Sequence, residues 1–479
     1  MNKLFFTQPI DRLAIALIAS LALVMGFLVW GGSACTDNCL FNTRGRVNSF
    51  SWADRIIGGE ERAFILTFNR PTDRQTVEDN LKITPNLPGK ISWSGLRLAY
   101  TLENPIPYGD KFNLELKGAR ERFPHQTQSG AEIKPFQAQF RSRDRAFAYI
   151  GSQGNEQGRL VLYNWTRQQK TILTPQNLTV FEFKPFPQGD RLLFSAADSQ
   201  AGIQGIQKLQ LYSVSTEFDF PSALPEIQLI LDNQQYQNNK FEISQDGKTI
   251  VVQRLQRDNL NNYGLWKISQ RHDPKLISDA QVGDFLITPD SQAVATAQGE
   301  GIALLPLEAN AKPLDFLPRF GQVLDFTADG TGAAMIDFNT DNAELRYTRS
   351  LYYVNNQGVN QELLNTEGSI QNCQFDPNAQ HLYCWLTELE TGETYQEKPY
   401  LAKINLQTSK IQTLVNIPQY QESKLSIAPD GLGILFGRSL KPDVGASQQS
   451  IWLLIPAKNP SDITIEQLPF LGFHPQWLP

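Results

Sequence analysis

The sequence predicts an all-β chain whose larger part is a ring of repeated four-stranded sheets, and three observations carry this prediction. Six copies of one phrase recur between Phe183 and Phe436: an apolar strand, a turn resembling Ser-Pro-Asp-Gly, and a second apolar strand. Each copy is followed by two more strand-like runs. Successive copies are 39 to 58 residues apart, which brackets the ~40–50 residues of one propeller blade. Repetition of this kind is typical of a β-propeller.

The turns of the six copies set their register. Their second turn residues are Gly189, Gly247, Ser291, Gly330, Ala379 and Gly431. The copy around Phe183 is the least regular of the six, because its turn reads Pro-Phe-Pro-Gln-Gly-Asp. The pattern within each repeat is therefore an inner strand, a tight turn, a second strand, a third strand and an outer strand.

A seventh blade is predicted from the two ends of residues 141–479. Three strand-like runs, beginning at Ala146, Arg159 and Thr171, precede the first copy and lack an inner strand of their own. A lone inner strand, Leu471 to Trp477, follows the last copy. Joining them closes the ring and removes an open sheet edge. The sequence therefore predicts seven blades, with six as the alternative.

Residues 50–140 have the pattern of a small β-sandwich. Six or seven short runs, from Ala63 onward, mostly alternate apolar and polar residues and are separated by Pro, Gly and Asn turns. This many short strands in ~90 residues favours an immunoglobulin-like sandwich. Trp52 and Trp93 are interpreted as core residues. Residues 31–49 precede this domain as a linker.

Motifs in both parts resemble known families. A strand ending Phe68-x-x-Pro71, then Lys82-Ile-Thr-Pro85, a Trp93 strand, Tyr108-Gly-Asp-Lys-Phe112 and a closing Phe136-x-x-x-Phe140 resemble the bacterial Ig-like domain first described in S-layer proteins. That resemblance implies a spacer or adhesive module without catalytic residues. The repeated hairpins resemble TolB-like and WD40-like periplasmic propellers. This second resemblance implies a fold and leaves function open, because propellers host binding proteins and enzymes alike.

The N-terminus predicts export. Residues 13–30 form an uncharged apolar run, preceded by a short cytoplasmic segment, residues 1–12. The run nearly reaches the ~20 residues of a membrane-spanning helix and exceeds the ~7–15 residue core of a cleaved signal peptide. A membrane anchor is preferred. Cleavage after the small residues 32–34, or lipidation at Cys35, are the alternatives. In each case the globular part is expected to be periplasmic or extracellular.

Charge and cysteine content exclude several classes of function. The net charge is −6 and no Lys/Arg-rich block occurs, so nucleic-acid binding is not expected. The four cysteines form two close pairs, Cys35/Cys39 and Cys373/Cys384, and neither has the Cys-x-x-Cys spacing of a zinc or thioredoxin site. Cys373 and Cys384 are equidistant from the centre of their hairpin turn. This predicts a cross-strand disulfide, with two buried thiols as the alternative.

Catalytic and cofactor-binding motifs are absent from the sequence. Walker A, Gly-x-Ser-x-Gly, His-Glu-x-x-His and Gly-x-Gly-x-x-Gly patterns do not occur. The four histidines fall in unrelated positions and are expected at the surface: His125, His272, His381 and His474. No catalytic residue, cofactor or metal is predicted.

A mostly polar ring is the candidate site. It consists of the residue before the last apolar position of each inner strand, and inner strands line a propeller's channel: Glu182, Glu242, Leu286, Asp325, Gln374, Ser426 and Gly472. Its three carboxylates could attract a cation or a cationic partner. The alternative is hydrogen bonding to channel water and to the flanking blade.

These observations favour a non-catalytic protein of the cell envelope that binds a protein or peptide partner through one propeller face. The alternative is an exported polysaccharide lyase or hydrolase. His, Arg, Tyr and acidic residues gathered on one face would favour the enzyme, whereas an apolar or aromatic rim would favour the partner.

Overall fold

The structure is a computed structural model. It describes residues 17, 20–22, 44–122, 130–216, 225–269, 273–279, 282–299, 301–308, 315–340, 344–345, 347–390, 396–417, 424–440, 448–457 and 462–479. Among these residues, no helical segment has the length and hydropathy that a membrane span requires. The predicted anchor, apart from residues 17 and 20–22, lies outside them, as do Cys35, Cys39, His125 and His272.

The chain divides into two compact units, and strands dominate both. The first unit comprises Met1–Arg55, Ala63–Asn104 and Lys111–Phe140. The second comprises Ile56–Arg62, Pro105–Asp110 and Arg141–Pro479. Within the described part of residues 44–479, the helices are α1 (Arg74–Asn80) and two 3₁₀ segments, Gly154–Glu156 and Ser199–Lys208. The prediction of an all-β chain is confirmed.

Two four-stranded sheets account for the first part of the chain. In spatial order, one sheet contains β1 (Val47–Phe50), β3 (Ala63–Phe68), β6 (Arg97–Leu102) and β5 (Gly89–Ser94). The other contains β2 (Ile56–Ile57), β8 (Phe136–Ser142), β7 (Lys111–Leu116) and β4 (Leu81–Thr84).

The core of the first unit is aromatic. The Trp52 ring is buried, with ring centroids 5.3 Å from both Phe64 and Phe140. Trp93 is only partly buried: it stacks on Phe68 and donates its indole N–H to Glu78. Trp52 is therefore a core residue, whereas Trp93 lies at the margin of the core.

Seven sets of four antiparallel strands form the second unit, and we number these blades 1–7 in chain order. Blade 1 contains β9 (Ala146–Gly151), β10 (Leu160–Asn164) and β11 (Gln169–Ile172). Blade 2 contains β12 (Leu178–Pro185), β13 (Arg191–Asp198), β14 (Gln210–Ser215) and β15 (Ile227–Leu231). Blade 3 contains β16 (Tyr236–Ile243), β17 (Thr249–Gln256), β18 (Tyr263–Ser269) and β19 (Lys275–Ser278), and blade 4 contains β20 (Phe285–Ile287), β21 (Ala293–Gln298), β22 (Gly301–Pro306) and β23 (Asp315–Pro318). Blade 5 contains β24 (Gln322–Phe326), β25 (Gly332–Asp337), β26 (Arg349–Asn355) and β27 (Asn360–Thr366). Blade 6 contains β28 (Ile370–Phe375), β29 (His381–Leu389), β30 (Glu397–Asn405) and β31 (Ile411–Asn416). Blade 7 contains β32 (Leu425–Ile427), β33 (Ile434–Leu440) and β34 (Gln448–Ile455).

The last strand, β35 (Thr464–Trp477), belongs to two blades. Its first half pairs with β34 and is the outer strand of blade 7. Its second half pairs with β9, aligning Gln476 with Ala148 and Trp477 with Phe147, and is the inner strand of blade 1. Inner strands of neighbouring blades contact one another from β16 round to β35, and β35 contacts β12. The C-terminal strand therefore closes a ring of seven blades.

The six repeated turns share one backbone conformation. Their second turn residues, listed above, all have positive φ, from 51° at Ala379 to 75° at Gly431. In blade 3, the Ser244 hydroxyl donates to Asp246 at 2.6 Å, and the same carboxylate accepts the Lys248 N–H at 3.0 Å. Thr and Asp repeat this arrangement in blades 4 and 5. The Ser/Thr-x-Asp-Gly phrase thus recurs because its side chains close the turn.

Each blade has connections at both faces of the ring. Strands one to four of a blade are antiparallel and follow chain order. Connections from strand one to two and from three to four therefore lie on one face, here called the lower face. Connections from strand two to three, and from each blade to the next, lie on the opposite, upper face.

Candidate functional site

Each residue of the predicted ring can be located by its distance along the chain from the left-handed turn residue of its blade. In blades 3 to 7 the predicted residue lies five positions before the left-handed turn residue, as Glu242 does before Gly247. In blade 2 the same count from Gly189 gives Lys184 in place of Glu182. Lys184 is followed by Pro185, so the last clearly apolar residue of that strand comes earlier than in the other copies.

Blade 1 differs in a similar way. Gln476, aligned with Ala148, occupies this position in place of the predicted Gly472. Strand β35 continues past Phe473 through an irregularity in its pairing with β9, which the sequence pattern did not indicate. We call the set with this register the channel positions: Lys184, Glu242, Leu286, Asp325, Gln374, Ser426 and Gln476.

Three channel positions link one blade to the next through a side chain. Asp325 Oδ2 accepts the backbone N–H of Phe375 at 2.8 Å, and Gln374 Oε1 accepts that of Ile427 at 3.0 Å. Ser426 Oγ accepts the backbone N–H of Trp477 at 3.0 Å. Each donor is the residue directly after the next blade's channel position. Blades 5, 6, 7 and 1 are therefore connected in sequence by the same kind of bond.

On the other side of the ring, ion pairs connect neighbouring blades. Lys184 Nζ lies 2.5 Å from Glu242 Oε1, which links blades 2 and 3. Lys240 contacts both Glu242, at 3.8 Å, and Asp284. Glu182 pairs with Lys424 of blade 7. Every carboxylate of the predicted ring thus has a partner in the protein.

The charges shift one another's pKa values in the expected directions. Burial opposes ionisation of Glu182, but Lys424, Lys184 and His474 outweigh it and hold the pKa of this carboxyl below its ordinary value. Burial alone would lower the pKa of Lys184, yet Glu242 and Glu182 raise it. Both groups are charged at neutral pH. The interior charges therefore compensate one another, and a free cation gains little there.

Among the described channel positions, the carboxyl of Asp325 has the pKa that departs most from its ordinary value. Burial raises its pKa to about 7, although the N–H groups of Phe375 and Phe326 and the charge of Lys184 act in the opposite direction. A carboxyl that titrates near neutrality is a feature of acid–base catalysts. Here, however, its oxygen is already bonded to the backbone of the neighbouring blade. We interpret its position as structural.

The described histidines are not brought together. His381 Nδ1 lies 3.2 Å from Asp376 Oδ2 at the blade 6 hairpin. His474 has a positive φ of 50° and lies within β35. Both are partly buried, whereas the sequence analysis expected them at the surface. Within the described part of the chain, no three His, Cys, Asp or Glu residues are placed to hold a metal ion.

Cys373 and Cys384 face each other across β28 and β29, with Cα atoms 4.1 Å apart, and a disulfide joins them. Both lie in the core cluster that blades 5 and 6 share, beside Phe375 and Leu382. Both cysteines are buried, so the disulfide lies inside this core.

The upper face carries a feature that the sequence reasoning missed. Four large apolar or aromatic side chains lie there in the strand two-to-three connections of blades 2, 3 and 5: Ile206 (54% exposed), Leu260 (70%), Phe338 (41%) and Tyr347 (84%). On the lower face, the described residues of this kind are Val359 and Leu432, each 58% exposed. Exposure of a loop residue depends on the path of the loop, which strand patterns do not report.

Comparison with known proteins finds similar solved structures only at low sequence identity. No family model and no curated protein matches the chain. An oligogalacturonate lyase from Vibrio parahaemolyticus is 14% identical, with a TM-score of 0.44, covering 58% of this chain and 79% of that chain. An oligogalacturonate lyase in complex with manganese is 12% identical, with a TM-score of 0.47 and coverage of 64% and 84%. A protein assigned as TolB from Agrobacterium tumefaciens is 12% identical, with a TM-score of 0.37 and coverage of 69% and 91%.

These similarities are to propeller-type structures, including TolB. They give no support to the predicted Ig-like, S-layer-type resemblance of residues 50–140. The similar structures include both a TolB and oligogalacturonate lyases, so neither of the two predicted functions is favoured.

Proposed function

We propose that this protein is a non-catalytic interaction module of the cell envelope, which binds a protein or peptide through the upper face of its propeller. The observation that carries the proposal is the set of exposed apolar residues on that face, led by Leu260 and Tyr347. Loops held by a rigid scaffold are where binding residues are most often found. Tyr in particular is enriched at protein interfaces.

The polar groups of the channel support the same proposal. A catalyst needs an acid, a base or a nucleophile that is open to substrate. Glu182, Glu242 and Asp325 are instead engaged by lysines or by backbone N–H groups. These partners also argue against the cation site that the three carboxylates suggested.

We further propose that residues 13–30 anchor the protein in the membrane and that the remainder is periplasmic or extracellular. The support is the uncharged 18-residue run itself, LAIALIASLALVMGFLVW. Residues 50–140 would then act as a spacer between anchor and propeller, in line with the Ig-like resemblance. Cofactors and nucleic acid have no role in this proposal.

Paired surface variants test the proposal. The double variant Leu260→Ser and Tyr347→Ser lowers apolar exposure on the upper face, and Val359→Ser with Leu432→Ser is its match on the lower face. The full chain, solubilised from its own envelope and cross-linked to its neighbours, is expected to lose a specific partner only with the upper-face pair. Equal recovery of partners by all three proteins would contradict the proposal. Cleavage of oligogalacturonate or another envelope polysaccharide by the wild type would favour the lyase or hydrolase instead.

A further inference from the structure

Among the described residues, the buried cation Arg254 has no carboxylate partner. It lies on β17 near the upper end of blade 3 and is 7% exposed. Its guanidinium lies over the ring of Tyr236, 4.1 Å from the centroid, and 5.7 Å from the centroid of Trp266. Within the described residues it forms no ion pair, although the charge of Asp232 acts on it from a distance. A buried charge is costly unless it is paired.

The orientation of Arg254 is fixed by its neighbours. Its Nε donates to Asn238 Oδ1 at 3.2 Å. Asn238 is itself buried, and its amide donates to the carbonyls of Leu209, at 3.1 Å, and Asp232, at 2.9 Å. Since Asn238 is held by two carbonyls, its oxygen must face Arg254. The aromatic rings and this amide thus hold the guanidinium plane in one direction.

No described residue accepts a hydrogen bond from the outer edge of the guanidinium. An arginine has five N–H donors, and Nε alone has a hydrogen-bond partner in the described part of the chain. The Nη atoms are not fully enclosed by the described residues, which agrees with the 7% exposure of Arg254. Two parallel N–H donors in a fixed plane match the two oxygens of a carboxylate.

The loops around Arg254 place it on the upper face. Arg257 donates to the carbonyls of Asn233, at 2.7 Å, and Gln207, at 2.5 Å, and so ties the upper loops of blades 2 and 3 together. The exposed Ile206 precedes Gln207, and the exposed Leu260 follows in the same loop as Arg257. A cation with apolar neighbours of this kind suits an acidic residue flanked by apolar ones.

We propose that Arg254 binds a carboxylate of an acidic peptide segment of the partner, with Leu260 and Ile206 contacting the apolar residues beside it. This inference rests on the proposed function of the upper face and adds the chemical class of its ligand. A peptide carboxylate is favoured over phosphate because Arg257 is already committed to two carbonyls, which leaves a single free guanidinium edge.

Peptide selection on the full chain tests the inference without a known partner. Random 12-residue peptides displayed on phage are selected on the purified protein, and the enriched peptides are expected to carry Asp or Glu next to an apolar residue. Changing that residue to Asn or Gln should weaken binding tenfold or more. Arg254→Met should weaken binding to a similar extent, and the two changes together should cost little more than either alone.

Controls separate the inference from the proposal beneath it. Arg191→Met is the matched control, because Arg191 also lies over an aromatic ring, 4.3 Å from the centroid of Phe186, but is paired with Asp190. The peptide-side change needs no protein variant, so it remains informative if Arg254→Met unfolds. Peptides that depend on Leu260 but not on Arg254 or on a carboxylate would overturn the inference and leave the proposed function standing. Failure to select any peptide that depends on Leu260 or Tyr347 would overturn both. Binding of oligogalacturonate at Arg254 in place of peptide would overturn the inference in favour of an acidic glycan.

Discussion

Ser426 and Trp477 join the last repeat to the C-terminal strand: the Ser426 hydroxyl oxygen accepts the backbone N–H of Trp477 at 3.0 Å. Both residues are buried. Ser426 also occupies the same register as Asp325 and Gln374, which bind the next blade in the same way. The closure of the ring therefore uses the same bond that connects its other blades.

Removing this bond is expected to destabilise the propeller. In Ser426→Ala the Trp477 N–H loses its acceptor inside the protein, and an unpaired buried donor costs about 1–3 kcal/mol. Chemical denaturation of the variant measures the loss. Ser199→Ala, at an exposed serine of the second unit, is the control and should remain near wild type. Equal stabilities for Ser426→Ala and Ser199→Ala would show that the bond does not hold the closure.

The six left-handed turn residues give a second prediction. Ala379 has φ 51° and Ser291 has φ 60°, whereas the other four positions are glycines. A residue with a Cβ pays about 1–2 kcal/mol in this conformation, partly offset by the greater unfolded-state freedom of glycine. Ala379→Gly is therefore expected to stabilise the protein by about 0.5–1 kcal/mol, and Gly330→Ala to destabilise it by a similar amount. Calorimetry of the two variants should give shifts of opposite sign; shifts of the same sign would contradict this account.

Asp325 is expected to make the stability of the protein depend on pH. Its pKa is about 7 in the folded protein and 3.8 ordinarily, so the folded state binds the extra proton between those values. The contribution of protonated Asp325 to the free energy of unfolding is complete below pH 4 and is lost as the pH rises to 7. The penalty at pH 8 is at most roughly 4 kcal/mol, and it is reduced because Asp325 keeps partial contact with solvent.

Asp325→Asn removes this titration while keeping an oxygen that can accept the Phe375 N–H. The variant is expected to gain stability relative to wild type by at least about 1 kcal/mol on going from pH 4 to pH 8. Urea unfolding at the two pH values measures the difference. Asp246→Asn is the control, because hydrogen bonds and Lys248 outweigh slight burial and hold the pKa of that exposed carboxyl below its ordinary value. A constant difference between Asp325→Asn and wild type would show that Asp325 is ionised throughout.

The disulfide between Cys373 and Cys384 is testable by mass. The bond closes a short loop, with a sequence separation of 11 residues, and such a loop contributes about 2–3 kcal/mol on entropic grounds. Peptide mapping of the non-reduced protein from its own envelope is expected to recover these cysteines as one linked pair. Two alkylated thiols at these positions would refute both the bond and the oxidising location that it assumes.

Sequence patterns predicted the parts of this fold that repeat. The six turns, the strand phrase and the pairing of Leu471–Trp477 with the first half-blade depend on local apolar patterns and turn residues, and the structure has each of them. Lys184 and Gln476 were missed because Pro185 and the irregular pairing of β35 shift the apolar pattern locally. Repetition predicts most positions and fails where a single copy departs from it.

The candidate site was less accessible from sequence. Lys240 and Lys424 pair with two of the predicted carboxylates, Glu242 and Glu182. Both lysines lie two residues before channel positions, where no repeat pattern distinguishes them. In the sequence, Arg254 is an ordinary strand residue. In the structure, it contacts Tyr236, Asn238 and Trp266. These relationships join different strands or blades, so only the folded chain brings them together.

The central claim, that the upper face binds a partner, is tested most directly by cross-linking in the living cell. A photoreactive amino acid is placed at Leu260, and in a separate strain at Leu432, which is similarly exposed on the lower face. The upper-face position is expected to give a discrete protein adduct that is lost on adding Arg254→Met, while the lower-face position gives none. An adduct of equal yield from Leu432, or no protein adduct from Leu260, would contradict the account.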